Sequence, residues 1–257
     1  MGDTEDAPAL SPAAAAALAA FLADKEAAAT ADPHAPDYGL SQFWYTEGTA
    51  DAVAAAVVGA VGPAGRVCCV SAPSLFKALL RLERAGGRAG GGGGEEAAAV
   101  VVEAPTTTST TTPTAAPPPS RHALLEFDDR FASLGPFSHY DYREPTVFSS
   151  AFAGAFDAVV ADPPYLSAEC LERTAVTVKA LEKKKEEGGA VRALLSGAVV
   201  RATAWTALGL RPVAFRPEHS CKLGNEFLCY TDSEIVAGSL GGWDAELGPG
   251  GGGVTRR

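Results

Sequence analysis

The segment Asp162-Pro163-Pro164-Tyr165 carries more chemistry than any other in the chain. Two consecutive prolines fix φ and remove two backbone donors, while their carbonyls stay available as acceptors. The acid before them and the aromatic after them turn a rigid turn into a receiver for an amino group. The Asp162 carboxylate and a proline carbonyl can each accept one N–H, which aims the nitrogen lone pair at an electrophile. The Tyr165 ring can pack on a flat base or on a cation. A Pro-Pro turn that merely closes a strand requires neither flanking residue. Methyl transfer to nitrogen suits such a loop, because a direct displacement needs mainly alignment and a dry, polarised cavity. A lysine nucleophile must first lose a proton, and with a pKa of about 10.4 that costs roughly 4 kcal/mol near pH 7.4. Burial and a nearby positive charge favour the loss, whereas Asp162 opposes it, so Asp162 is assigned to orientation. No general base is evident.

Other candidates are weaker alone. Glu126 or Asp128, at the end of a predicted strand, could bind two ribose hydroxyls, as an acid there does in many nucleotide-binding sheets. Ser71-Ala72-Pro73-Ser74 stands where a dinucleotide site would have its glycine turn. Its small residues admit a ligand that lacks a pyrophosphate. Gln42-Phe43-Trp44-Tyr45 is a dense aromatic group that either packs in the core or lines a pocket. The four histidines (His34, His122, His139 and His219) show no ligand spacing and receive no role. Five scattered cysteines form neither a Cys-x-x-Cys pair nor a zinc pattern, so no metal is expected, and Cys68 and Cys69 fall in an apolar run that suits a core.

The elements that must position these residues alternate between strand and helix. Strands are predicted at 66–70, 122–127, 137–142, 156–161, 190–195, 211–215 and 225–230, and helices at 47–60, 75–84 and 167–184, with a helical turn at 203–208. That alternation implies an α/β fold: a mostly parallel sheet with helices on both faces and ligands beyond the strand carboxyl ends. Three of the loops of interest follow such ends, after Val70, Phe127 and Ala161. Residues 1–36 are expected to form an alanine-rich helix (11–29) and a linker, and 37–237 one domain. Within it, 86–120 is a Gly-, Val- and Thr/Pro-rich insertion of disordered composition. A disordered Gly-rich tail is expected at 238–257.

Bulk composition narrows the function classes. The 257 residues carry a formal charge of −10, with 47% hydrophobic and 20% charged residues. An excess of acid disfavours a dedicated nucleic-acid binder and suits a basic protein partner. The start lacks a signal-peptide pattern and no apolar run is bulky enough to span a membrane, so a cytoplasmic protein is expected.

Several segments together resemble a known family. Leu40-Ser41-Gln42-Phe43-Trp44-Tyr45, Cys69-Val70-Ser71-Ala72-Pro73-Ser74, Phe127-Asp128 with Arg130-Phe131, Tyr140-Asp141-Tyr142, Asp157 through Ser167 with Glu169-Cys170-Leu171, and Asn225-Glu226-Phe227 occur in that order. They resemble the eukaryotic translation elongation factor 1A lysine methyltransferase family, whose members were once described as adenine-N6 DNA methyltransferases. Asp-Pro-Pro-Tyr is shared with nucleic-acid amino methyltransferases; the Ser-Gln-Phe-Trp-Tyr and Val-Ser-Ala-Pro-Ser segments are more specific. The resemblance runs from about Leu40 to Tyr230. It implies a Rossmann-like, seven-stranded class I methyltransferase sheet with the last strand antiparallel. It also implies S-adenosylmethionine as cofactor and a lysine of elongation factor 1A as target. By the same resemblance Asp162, Pro163, Pro164 and Tyr165 meet the target nitrogen, and Ser71, Ala72 and Pro73 line the cofactor. Glu126 or Asp128 lies near its ribose, Asp141 and Tyr142 near its adenine, and Phe43, Trp44, Tyr45 and Asn225 in the target pocket. The insertion at 86–120 and the longer segment 183–190 depart from the family pattern without removing a motif residue. An adenine-N6 methyltransferase and a non-catalytic binder of the elongation factor are the competing readings.

Overall fold

In a computed structural model the chain is described for residues 32–40, 42–89, 120–184, 186, 188–221 and 223–248. The predicted helix at 11–29 and most of the predicted insertion lie outside these residues. Two units are present, divided after Gln42. In the first, Tyr38–Leu40 forms a 3-10 turn and the Asp37 amide donates to Gln42 Oε1 at 2.8 Å.

The second unit holds seven strands: β1 Val67–Val70, β2 Ala123–Glu126, β3 Phe137–His139, β4 Ala158–Ala161, β5 Val191–Gly197, β6 Arg211–Pro212 and β7 Phe227–Thr231. They form one sheet in the order β3-β2-β1-β4-β5-β7-β6. β1 to β5 run parallel, and β7 is antiparallel to both β5 and β6. All side chains of β1, β2 and β4 are buried, as expected of central parallel strands covered on both faces.

The helices form because their starts are capped and one face is apolar. In α1 (Glu47–Val61) Thr46 Oγ1 accepts from the Thr49 amide at 3.2 Å; in α3 (Ala168–Leu181) Ser167 Oγ accepts from the Cys170 amide at 3.2 Å. α2 (Pro73–Ala89) starts on a proline, whose preset φ suits the first turn. α4 (Arg201–Leu208) and α5 (Glu234–Ser239) complete the set. One buried cluster joins α1, α2 and α5 to the sheet through Val53, Val57, Leu75, Phe76, Leu79 and Val236. The other joins α3 and α4 to the opposite face through Leu171, Val178, Leu181, Ala204 and Leu208. Cys68 and Cys69 are fully buried, one in each cluster. Among the described residues no helix is long and apolar enough to cross a membrane.

Three boundaries differ from the sequence expectation, two for local reasons and the third through distant partners. β3 ends at His139 because Asp141 Oδ1 takes the Arg143 amide at 2.9 Å and bends the chain. β6 ends at Pro212; Val213 still donates to the Cys229 carbonyl at 2.9 Å but also bridges to Trp243. The third lies within the disordered tail expected at 238–257, of which residues 238–248 form defined structure. α5 continues to Ser239, and Gly241 and Gly242 take φ of 86° and 90°, a turn that residues with a Cβ resist. Beyond it Trp243 stacks on the Arg211 guanidinium at 4.2 Å and donates to Glu234 at 2.9 Å, while buried Asp244 pairs with Arg216. Composition alone saw the glycines; what orders this stretch is a tryptophan and an aspartate with distant partners.

Candidate active site

The carboxyl ends of β1, β2 and β4 bring Ser71, Glu126 and Asp162 to one edge of the sheet. The Asp162 amide donates to the Val70 carbonyl at 3.0 Å, and the Ser71 amide to the Leu125 carbonyl at 2.8 Å. Both bonds extend the parallel ladder by one step, so the two loops leave the sheet side by side. Ser71 has φ of 51°, a left-handed conformation that costs a residue with a Cβ on the order of 1–3 kcal/mol. Ala72 and Pro73 behind it are buried.

Asp162 is where the site is most constrained. Tyr45, from the segment before α1, donates its hydroxyl to Asp162 Oδ1 at 3.1 Å across 117 positions of sequence. The residue keeps some exposed surface, yet its carboxyl is pushed well above the usual range. Desolvation by burial is the main cause, the Tyr45 hydrogen bond acts against it, and Glu126 adds repulsion. Pro163 is buried and Pro164 half-buried, while Tyr165 is 50% exposed with its ring edge-on to Tyr142 at 5.6 Å. Leu166 follows and lies over Gly197 at the end of β5, where a Cβ would come within 2.9 Å of Leu166 Cδ1. Gly197→Ala must therefore displace the residue next to Tyr165. We expect activity to fall several-fold with stability lowered by only about 1–2 kcal/mol; paired melting and turnover assays check this, and unchanged turnover would show that the place of Leu166 does not set that of Tyr165.

The structure separates the two acids after β2. Asp128 accepts the Arg130 amide at 3.0 Å and a forked guanidinium at 2.9 and 2.6 Å, which commits it to the following turn. Glu126 is 7% exposed, and its hydrogen bonds come from backbone amides, that of Asp128 at 3.3 Å. Burial raises its pKa to about 7, those amides and His139 only partly opposing the shift. Asp141 repeats the Asp128 pattern with Arg143, at 2.9 and 2.5 Å, and is held below the usual carboxylate range chiefly by that guanidinium.

The predicted pocket aromatics do not act as one group. Phe43 is exposed, whereas Trp44 turns toward α2, with Lys77 Nζ 3.9 Å over its ring and Phe131 at 6.1 Å. Tyr45 alone reaches Asp162, and Asn225 is exposed two residues before β7. His219, given no role from the sequence, stacks on Tyr45 with ring centroids 4.3 Å apart and meets Phe227 edge-on at 4.4 Å. No spacing signal could have found it, because its partners lie 174 residues before and 8 after it. Among the described residues no group of three His, Cys, Asp or Glu could hold a metal.

A 3-2-1-4-5-7-6 sheet with an antiparallel seventh strand, and the Asp-Pro-Pro-Tyr loop at the end of β4, fit a Rossmann-like methyltransferase fold. The family described as "Probable N6-adenine methyltransferase" matches residues 36–235, and the chain belongs to that family. Among its relatives, "EEF1A lysine methyltransferase 1" of Mus musculus is 34% identical over 242 residues, 90% of this chain and 94% of the mouse protein. The protein of the same name from Danio rerio is 37% identical over 199 residues, 76% of this chain and 97% of the fish protein. "Protein-lysine N-methyltransferase EFM5" of Saccharomyces cerevisiae is 28% identical over 210 residues, 77% of this chain and 72% of the yeast protein.

Proposed function

We propose that this chain is a protein-lysine N-methyltransferase that uses S-adenosylmethionine and acts on translation elongation factor 1A in the cytoplasm. The observation that carries the reading is its likeness, at 34% and 37% identity, to animal proteins named for that reaction. An amino-receiving loop at the expected sheet edge supports it. The family description names adenine instead, and an adenine amino group would meet the same loop. The net charge of −10 favours a protein acceptor over a nucleic-acid strand.

The residues present fit the cofactor. Glu126 is a buried carboxylate whose backbone partners leave it able to accept two ribose hydroxyls, and the Ser71–Pro73 loop offers small, mostly buried residues beside it. Tyr142, with Asp141 held by Arg143, would flank the adenine. When bound, S-adenosylmethionine supplies the sulfonium methyl that the nitrogen takes. The chain does the rest. Asp162 and the Pro163 carbonyl accept the amine N–H bonds and aim the lone pair. Tyr165 covers the lysine side chain with its exposed ring, and Phe43 and Asn225 stand at the rim where a protein surface arrives. Because Asp162 opposes loss of the lysine proton, burial of the amine on docking supplies that shift.

Transfer of labelled methyl tests the reading, with recombinant elongation factor 1A and single- and double-stranded DNA offered in parallel. Label on the protein, absent with Asp162→Ala, is expected; label on DNA alone would replace the lysine reading with the adenine one. Tyr165→Ala should lower turnover roughly tenfold or more while cofactor affinity, read by calorimetry, changes little. Unchanged turnover would remove Tyr165 from the target site.

A further inference from the structure

Asp162 can orient an amine only if its own carboxylate is held in one place, and the loop that carries it gives little help. The prolines on its C-terminal side cannot donate, and its own amide is spent on the Val70 carbonyl. Its side-chain carboxylate accepts from the Tyr45 hydroxyl, at Oδ1. We propose that Tyr45 is a positioning residue: its hydroxyl fixes Oδ1 so that Oδ2 faces the target amine, and the ring stack with His219 and Phe227 fixes Tyr45. This rests on the methyltransferase reading above and deepens it.

Three observations carry the proposal. Tyr45 is 5% exposed, so its ring serves packing and its hydroxyl serves Asp162; it does not line an open pocket wall. His219 and Phe227 continue from Tyr45 as successive ring contacts at 4.3 and 4.4 Å, which leaves Tyr45 no alternative rotamer without breaking the stack. The two chain segments are also joined by backbone. Tyr45 and His219 form a bridge, the Thr46 amide donates to the Glu218 carbonyl at 2.8 Å, and the Ser220 amide to the Trp44 carbonyl at 2.8 Å. Residues 43–46 are thereby clamped to the segment that leads into β7. The elements around this pair bring Glu126 from β2 toward Asp162, and Cys229 from β7 and His219 toward Tyr45. Burial raises the pKa of Asp162, the Tyr45 bond lowers it, and the charge of Glu126 raises it further. Burial also lowers the pKa of His219, consistent with a neutral ring that stacks and carries no charge.

The test uses the full chain. Tyr45→Phe keeps the ring and removes the hydroxyl; kcat is expected to fall about tenfold, with KM for the protein acceptor and cofactor affinity changed less than about threefold. The acid limb of the kcat profile should move to higher pH, because the bond that favours the carboxylate is gone. His219→Ala should lower kcat in the same manner and His219→Phe should restore it, whereas a proton-carrying histidine would not be rescued by phenylalanine. A second readout needs no acceptor: the carboxyl carbon of Asp162, assigned with Asp162→Asn, is titrated by nuclear magnetic resonance in wild type and Tyr45→Phe. An upward shift of its midpoint is expected. An unmoved midpoint together with wild-type kcat would overturn the proposal. Failure of the wild type to methylate elongation factor 1A would instead bring down the substrate assignment, while the titration still decides the role of Tyr45.

Discussion

Asp162→Ala is expected to lower methyl transfer by about three orders of magnitude while cofactor affinity stays within a few-fold. The magnitude follows from removing a preorganised acceptor at the reacting nitrogen, where the loss of one such group typically costs about 10²–10³ in turnover. The prolines still supply a carbonyl, so some alignment survives. Folding stability should change little, since two effects oppose each other. A carboxyl that desolvation has pushed well above its usual pKa is relieved, and the buried Tyr45 hydroxyl loses its acceptor. Asp162→Asn separates charge from geometry. An amide oxygen can still accept from Tyr45, so an intermediate loss of about 10–100-fold is expected. Single-turnover rates with cofactor titrations decide between these outcomes. A large loss of cofactor affinity in Asp162→Ala would move this residue out of the target site and into the cofactor site.

Glu126→Gln should weaken cofactor binding by about 10–100-fold, the value of one charge-assisted hydrogen bond lost from a buried site. The pH dependence is the sharper signature. The folded pKa of Glu126 is raised to about 7 by burial, so in the absence of ligand the carboxylate is half protonated near neutrality. Ribose hydroxyls favour the ionised form. Binding therefore draws off a proton, and affinity rises with pH until it levels off above about 7. Each unit below that value should cost roughly tenfold. Folding stability responds to pH in the opposite direction. A carboxyl whose folded pKa exceeds its unfolded one loses stability as pH climbs from the ordinary carboxylate range to about 7, and Glu126→Gln should be free of that loss. Calorimetry in buffers of different ionisation heat counts the proton, and melting across pH 4–8 checks the stability. Pairing with the Asp128 variant is informative because Asp128 is already forked to Arg130. If Asp128→Asn and not Glu126→Gln removes the pH dependence, the ribose assignment belongs to Asp128.

Much of the framework was legible because it depends on local chemistry. Val67–Val70 and Ala158–Ala161 are short apolar runs bounded by turn residues, which is what buried parallel strands require. Thr46 and Ser167 announce helix starts through their side chains. The Asp-Pro-Pro-Tyr loop stands out as a rigid, acceptor-rich turn because two prolines leave the backbone few alternatives and no donors. What escaped was long-range. The residues from Ser239 to Asp244 looked like a tail because their glycines speak locally, while Trp243 and Asp244 find Arg211, Glu234 and Arg216 only in the folded chain. His219 carried no spacing pattern, and its meaning comes from a stack assembled across the sheet edge.

Thus the residues alone determined the α/β class and a short list of candidate site residues, the Asp162–Tyr165 loop and the acids Glu126 and Asp128 among them, each through side-chain type or fixed backbone angles within a few positions. Only the tertiary structure chose among them. It paired Asp128 with Arg130 and left Glu126 bonded to backbone amides, and it sent Trp44 to α2 while giving Tyr45 to Asp162. Such choices turn on which charges and rings meet when strands distant in sequence end side by side, and on how much water the meeting excludes. Neither quantity exists until the sheet has formed.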